Sequence, residues 1–443
     1  SLSSELAAVP GYQNRRERVL TLLAPPEEPG FLVKAGVDGF ARGEGYRNLL
    51  LETYEYTPGH GQGWGVARLK PFVYWHPTDY LDLHLEGQFY GYEAPFRDHS
   101  LSSLYQGFVL AKVPGVEGVS VKVGRQEITY GSAFMLGSDS FFDGQSYDGA
   151  TLTLGPFAGA TLDLFTGRYA EQFSDGLEGT LSGGYLTASF SEGNALELYA
   201  FRDSGGYEGE RFTGEHRDSY GLRGTATAGP VSLEIEPVYQ GGKLDEFGIG
   251  ERQRIDAFGG HADLTVTLPV AEERNITLIA GYAVGSGSQQ AVDGVSSRRQ
   301  FAMPLTDTSL TGDMSVIGDL GGFALANPND LDLITGAPIY YNASGISAVS
   351  AGLGIDLLPG VNLTGTGRAF RARYTSNDVS HELGQEVDAT LTWAPRDNLS
   401  LVLGYGHFFT GGFFREVAGD NSDIDYGYLM LQFNLARIWP KKS

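Results

Sequence analysis

The residues best suited to chemistry in this chain form a short polar series in one stretch of sequence. His84 lies two residues from Asp82 and two from Glu86, and side chains at that spacing on a β-strand point to the same face. An imidazole between two carboxylates can hold a metal ion or move a proton. The same spacing also arises on any strand that has one polar face, so we interpret the series as polar lining and not as a catalytic site.

The remaining chemical signals are weak. The acidic segment 420–425, DNSDID, lacks the full spacing of an EF-hand calcium loop. The eight histidines are scattered along the sequence, and no set of histidine, serine and aspartate stands out as a candidate catalytic site. The chain contains no cysteine, which excludes thiol catalysis, thiolate metal sites and disulfides. We therefore expect neither an enzyme nor a bound cofactor or metal.

Composition narrows the class of protein further. The formal net charge of −23 over 443 residues speaks against a nucleic-acid surface. No apolar run approaches the roughly 20 residues of a membrane helix. That observation leaves membrane strands open, because each such strand gives only a weak hydrophobic signal.

Strict alternation of apolar with small or polar residues dominates the chain. In residues 349–357 every odd position is apolar, and the even positions are Ser350, Gly352, Gly354 and Asp356. Residues 386–393 repeat the pattern. Such runs are long for the strands of a soluble sandwich or propeller, which is the alternative interpretation. One apolar and one polar face per strand is typical of a transmembrane barrel.

About eighteen such runs follow one another, joined alternately by about eight short turns and by long polar connections. The predicted fold is all-β, a transmembrane antiparallel β-barrel of about eighteen strands that forms a monomeric pore. The barrel is expected over residues 31–436, and a tail 437–443 follows it. The N-terminal segment 1–30, which can form a short helix, is expected to lie in the periplasm or inside the lumen, and the sequence leaves both open. Both termini are expected on the periplasmic side of an outer membrane. The long connection 287–342 is expected to fold into the pore.

Parity within each run predicts which charged side chains face the lumen. The predicted basic lining is Lys34, Arg42, Arg68, Lys70, Arg217, Arg223 and Arg368. The predicted acidic lining is Asp38, Asp82, Glu86, Asp163, Glu197, Glu234, Glu236, Asp263, Glu382, Glu386 and Asp388. Such a mixed lumen can form a transverse field or a network of ion pairs, and the sequence leaves both open.

Three stretches in order resemble the alginate-export family of outer-membrane barrels. They are VKVGRQEITYG followed by SYDGATLTL (121–131 and 146–154), GYAVGSG (281–287) and ELGQEVDATLTW (382–393). The resemblance implies an eighteen-strand barrel that passes an anionic polysaccharide through an arginine-lined lumen occluded by loops at rest. The chain departs from the family at residues 395–398, PRDN, where the alginate exporter has a long periplasmic turn.

The resemblance also makes Arg125 a lumenal arginine. Its parity is that of Val121 and Val123, which are expected to face lipid. A bulge at Gly124 would turn Arg125 inward.

These observations favour a passive outer-membrane channel for an anionic polysaccharide or another anionic solute. A general small-solute porin and a barrel that encloses a partner protein remain the alternatives. Outer-membrane lipid and lipopolysaccharide, the solute and periplasmic secretion proteins are the expected partners, and nucleic acid is not.

Overall fold

The computed structural model describes ten stretches of the chain: residues 32–50, 55–94, 97–137, 144–170, 179–204, 216–245, 252–271, 274–287, 343–376 and 378–439. The predicted N-terminal segment 1–30 and almost all of the long connection 287–342 lie outside the described residues. The expectations for the position of the N-terminal segment and of the long connection therefore stay predictions.

Within these stretches the chain forms eighteen strands and one short helix. They are β1 Leu32–Leu50, β2 Glu55–Thr78, β3 Leu81–Ala94, β4 Arg97–Lys112, β5 Val119–Gln126, β6 Tyr147–Phe157, β7 Ala160–Tyr169, β8 Thr180–Ser191, β9 Asn194–Ser204, β10 His216–Ala228, β11 Val231–Asp245, β12 Arg252–Ala271, β13 Arg274–Gly285, β14 Ala343–Leu358, β15 Val361–Thr375, β16 Glu382–Arg396, β17 Leu399–Thr410, α1 Gly412–Val417 and β18 Ile424–Trp439. Among the described residues, no helix has the length and apolarity needed to cross a lipid bilayer.

The strands form one closed antiparallel sheet. Each strand pairs with the next along the chain, and β1 also pairs with β18 from Val33↔Trp439 to Arg47↔Asp425. Closure removes the free edges that would otherwise expose unpaired backbone groups. The predicted eighteen-strand antiparallel barrel is confirmed.

Side-chain exposure follows the predicted alternation. In β16, Val387 and Trp393 are 56 % and 50 % exposed, whereas Glu386 and Asp388 are buried. Since the sheet is closed, the exposed apolar face is the outer surface and the buried polar face lines the interior. Side chains of opposite polarity on the two faces are what a barrel in a membrane requires.

Eight short turns lie at one end of the barrel, between β2 and β3, β4 and β5, and each later pair in the same phase. The turn after β16 is as short as predicted, since only two residues separate Arg396 from Leu399. Outward-facing Trp75 and Trp393 lie close to this end and are about half exposed. Indole rings at such a position suit the interface between membrane and water.

Candidate pore lining and constriction

The basic residues predicted to line the lumen lie on the inner face, with one exception. Arg42, Arg68 and Lys70 are buried and alternate with exposed outward positions. Lys34 pairs in register with Tyr74, which is buried on the inner face. Arg217, Arg223 and Arg368 share the inner face of β10 and β15 with other buried side chains.

Arg125 is the exception, and its prediction as a pore-lining residue is wrong. The pairing of β4 with β5 runs without interruption through Val109↔Val123 to Arg125, and both valines are exposed on the outer face. Gly124 has a positive φ of 128°, but no register shift accompanies it. Arg125 stays outside, where its Nε and Nη2 each donate to Asp148 at 2.8 Å. An arginine next to a strand end costs little there when a carboxylate compensates it.

The predicted acidic residues also face the interior, apart from Glu382. Between Phe370↔Gly384 and Arg371↔Glu382 the register shifts by one residue. The extra residue is Leu383, which is buried, while Arg371 and Glu382 are exposed. A β-bulge changes the face of every residue beyond it. The predicted lumenal position of Glu382 is therefore wrong. The prediction assumed that inward and outward side chains alternate without interruption along β16, and the bulge at Leu383 interrupts that alternation.

Four cations gather on the inner face of β1 and β2, which we call the basic wall: Lys34, Arg42, Arg68 and Lys70. Among the described residues of these two strands, only the carboxylates Asp38 and Glu44 share that face. Arg42 forms an ion pair with Glu44, and Arg68 lies 4.0 Å from Asp38. The basic wall therefore carries more positive than negative charge.

Aromatic rings hold the cations of the basic wall in place. The Nζ of Lys70 lies 3.2 Å from the centre of the Tyr105 ring, and the Cζ of Arg42 lies 3.7 Å from that of Tyr428. Cation–π contacts stabilise a cation without adding a negative charge.

A second cluster, the acidic wall, lies on the inner face of β9 to β12. Its centre is Arg223, which donates to Glu197 from Nη1 at 2.9 Å and to both carboxylate oxygens of Glu234 at 2.9 and 2.6 Å. Glu236 lies 3.8 Å from the same guanidinium and 3.5 Å from His261. One arginine thus holds three carboxylates together.

The two walls face each other across the barrel. In a ring of eighteen strands β1 is nine positions from β10, and β2 is nine from β11. Among the described inward positions of β9–β12, five carboxylates accompany two guanidinium groups: Glu197, Asp203, Glu234, Glu236 and Asp263 with Arg217 and Arg223. Opposite charge excess on opposing walls creates a field across the lumen. The lumen thus has both arrangements that the sequence left open, a transverse field and a network of ion pairs.

Two further polar clusters lie between the walls. Arg368 forms an ion pair with Asp388 on the neighbouring strand and lies 3.7 Å from Glu386. Asp82, His84 and Glu86 of β3 do not share one set of partners. Asp82 accepts a hydrogen bond from Tyr74 at 2.7 Å and lies 3.4 Å from Lys112. His84 and Glu86 remain neighbours at 3.4 Å.

β5 ends at Gln126, and the connection that follows it turns into the interior of the barrel. Residues 127–137, the inserted segment, place Ile128, Tyr130, Phe134 and Met135 in a buried cluster with inward side chains of β6 to β12. The Tyr130 ring stacks on Tyr185 with 4.4 Å between ring centres.

Polar contacts join the inserted segment to the acidic wall. Ser132 Oγ donates to Glu236 Oε2 at 3.0 Å, and the Phe134 ring packs edge-on against His261 at 4.9 Å. Gly131 has a φ of +59°, and an added Cβ would lie 2.8 Å from the Tyr185 hydroxyl. The segment therefore narrows the lumen on the acidic side, and Gly131 permits its close approach.

Sequence reasoning missed this constriction, although the signal was present. Ile128, Tyr130, Phe134, Met135 and Leu136 lie within the inserted segment, whose other residues are small or polar. Large apolar side chains in a loop indicate that the loop is buried.

A second inward connection lies between β17 and β18. Helix α1 buries Phe413 and Phe414, and the Phe414 ring packs against Phe408 of β17 at 5.7 Å. The buried apolar cluster that contains them also includes inward side chains of β13 to β18 and of β1 to β3.

Solved structures with the same architecture come from outer-membrane barrels. Pseudomonas aeruginosa OccK5 (OpdH) aligns over 91 % of this chain and 98 % of its own, with a TM-score of 0.59 and 11 % identity. Acinetobacter baumannii OccAB1 covers 91 % and 96 %, with a TM-score of 0.58 and 10 % identity. P. aeruginosa OccK2 (OpdF), solved in complex with glucuronate, covers 93 % and 98 %, with a TM-score of 0.54 and 14 % identity. At these identities the likeness shows the fold alone.

Comparison with curated protein sequences gives no match. A family model described as alginate export matches residues 83–311, slightly more than half of the chain. That range contains the acidic wall and the inserted segment. The chain therefore belongs to the alginate export family of outer-membrane β-barrel channels.

Proposed function

We propose that the barrel is a passive channel for anionic solutes in an outer membrane, with an anionic polysaccharide of the alginate type as its cargo. The observation that carries this proposal is the basic wall, where four cations and two carboxylates share the lumenal face of β1 and β2. The family supports the same class of cargo. A wall with excess positive charge offsets the loss of hydration that a carboxylate suffers in a narrow pore.

The acidic wall contributes to movement as well as to selection. Its excess negative charge repels an anionic chain toward β1 and β2, where cations recur along the strands. Several weak sites in series let a polymer move, because leaving one site is coupled to entering the next. The protein supplies width, water and compensating charge, and no bond needs to change.

We also propose an orientation in the membrane. The N-terminal end of β1 and the C-terminal end of β18 lie at the same end of the barrel as the short turns. Short turns face the periplasm in outer-membrane barrels. Both termini then lie in the periplasm, and the outer surface contacts lipid and lipopolysaccharide.

Reversal potentials in planar bilayers test the anion preference. We expect a preference for chloride over potassium that falls severalfold in Arg68→Ala, because the basic wall loses one of its four cations. Arg202→Ala is the matched control, since Arg202 lies on the outer face, 57 % exposed and paired with Asp218. A preference for potassium in the wild type, with no change in Arg68→Ala, would contradict the proposal.

A general porin for small solutes is the second candidate, and the carboxylates of the acidic wall favour it. The two candidates differ in how an oligouronate affects the ion current. Because a glucuronate complex of a structural neighbour is known, uronates are suitable probes. We expect concentration-dependent block by oligouronate and weaker block by a neutral oligosaccharide of equal length. Equal block by both would favour the general porin.

A further inference from the structure

His261 of β12 is held in one orientation inside the barrel. Its Nδ1 lies 2.5 Å from Asp263 Oδ2, a distance at which the ring N–H donates to the carboxylate. The other ring nitrogen, Nε2, is buried and forms no hydrogen bond with any described residue. It points between two carboxylates of β11, 3.5 Å from Glu236 Oε2 and 3.8 Å from Glu234 Oε1.

This arrangement matches the way proteins prepare a histidine for a metal ion. A ligating imidazole almost always donates its second N–H to a carboxylate or a carbonyl, which leaves the lone pair of the other nitrogen facing the metal. Asp263 occupies that supporting position. The pairing of β11 with β12 places Glu236 directly opposite His261 and Glu234 opposite Asp263, so backbone register holds all four side chains together.

The charge around His261 points the same way. Among the described residues, the carboxylates of Glu197, Glu234 and Glu236 share one guanidinium, that of Arg223, and Asp263 pairs with His261. With His261 neutral, these four carboxylates and the Arg223 guanidinium carry a net charge of three negative units. The side chains of Glu197 and Glu236 are 6 % and 3 % exposed, so water screens them poorly. Buried charges of one sign are costly unless a cation compensates them.

We propose that Glu234, Glu236 and His261 bind a divalent transition-metal ion of the Zn²⁺ class. One atom from each of the three side chains lies within 4.8 Å of the other two. Ligands about 2.0–2.2 Å from a tetrahedral Zn²⁺ lie roughly 3.4 Å apart, close to the 3.5 Å between His261 Nε2 and Glu236 Oε2. A set of imidazole and carboxylate donors selects Zn²⁺ or a related ion over Ca²⁺ or Mg²⁺, which prefer oxygen ligands alone.

Arg223 does not prevent this binding. Each oxygen of an ionised carboxylate carries two lone pairs, so Glu234 Oε1 can accept from Arg223 Nε and ligate an ion as well. Arg223 also keeps its hydrogen bond with Glu197 at 2.9 Å. The ion supplies the positive charge that the cluster lacks, and it does not compete with Arg223 for the same lone pair of Glu234.

The metal site is coupled to the constriction. Ser132 and Phe134 of the inserted segment contact Glu236 and His261 directly. An ion that fixes these two side chains also fixes the surface on which the segment packs. This role goes beyond the proposed transport of anions, because the ion acts on the wall and not on the solute.

Zinc binding by the tag-free full-length barrel in detergent tests the proposal without any solute. After EDTA treatment and dialysis, calorimetric titration with ZnCl₂ is expected to show one site that is lost in His261→Ala and in Glu236→Gln. Asp263→Asn is expected to bind about 10- to 100-fold more weakly, because only the support of the ligand is removed. His84→Ala is the matched control, since His84 also faces the interior beside a carboxylate, Glu86, at 3.4 Å.

Two further measurements keep the result interpretable. Heat-modifiable mobility in electrophoresis reports whether each variant forms the barrel, and Glu236→Gln serves if His261→Ala does not fold. CoCl₂ in place of ZnCl₂ is expected to give visible ligand-field absorption in the wild type and in His84→Ala, and none in His261→Ala or Glu236→Gln. A wild-type protein that binds no Zn²⁺ would overturn the proposal. Undiminished binding in folded His261→Ala or Glu236→Gln would also overturn the proposal.

Discussion

Replacing Phe134 by alanine removes a large apolar anchor of the inserted segment. Phe134 is 3 % exposed and packs within the buried cluster of β6 to β12 and against the His261 ring. Burial of this kind makes a Phe→Ala change cost about 3–5 kcal/mol. Since each 1.4 kcal/mol is tenfold, the ratio of undocked to docked segment rises between roughly a hundredfold and a few thousandfold.

Single-channel recording in planar bilayers measures this shift. The docked segment occupies part of the lumen, so its release widens the path for ions. We expect Phe134→Ala to visit a level of higher conductance far more often than the wild type. The strands are not altered, and the variant should keep the heat-modifiable mobility of a folded barrel.

Phe89→Ala is the control for a general effect of losing a phenyl ring. Phe89 lies on the outer face of β3 and is 53 % exposed. Its removal should leave the conductance levels and their occupancy unchanged. Identical current traces in folded Phe134→Ala and in the wild type would refute the conclusion that residues 127–137 narrow the pore.

Two other changes test the packing of the interior. An added methyl in Gly221→Ala would overlap the ring of Tyr199, so we expect about 1–3 kcal/mol of destabilisation, measured by urea unfolding in detergent; unchanged stability would contradict the close contact. Arg368→Ala removes the ion pair between Arg368 and buried Asp388 and is expected to cost about 3–5 kcal/mol, whereas the exposed pair of Arg202 is worth about 0–1 kcal/mol. Equal losses of unfolding free energy in Arg368→Ala and Arg202→Ala would show that the lumenal pair is as well hydrated as the surface pair.

Alternation along the sequence was sufficient for the architecture. Every second side chain of a membrane strand meets hydrocarbon and its neighbours meet the interior, so strand identity, strand number and most inward positions follow from local pattern. Arg68, Lys70 and Glu236 were assigned to the interior on this ground, and the structure places them there. The short turns could be predicted from local sequence in the same way, because a short connection between two antiparallel strands can adopt only a few conformations.

Local pattern failed where geometry departs from strict alternation. At Leu383 one extra residue enters β16 and moves Glu382 to the outer face. At Gly124 a bulge was expected and does not occur, so Arg125 stays outside. A bulge depends on the pairing of two strands, and one strand's sequence does not reveal it.

The charges of the lumen show most clearly what tertiary structure decides. The sequence by itself determined that acids and bases share the inner face, because parity is a property of one strand. Closure of the sheet decided that β1 and β2 lie opposite β10 and β11, and strand register brought Glu236 beside His261. Folding also carried residues 127–137 inside the barrel. Each of these is a contact between residues distant in sequence, so it depends on the path of the whole chain and on no local pattern.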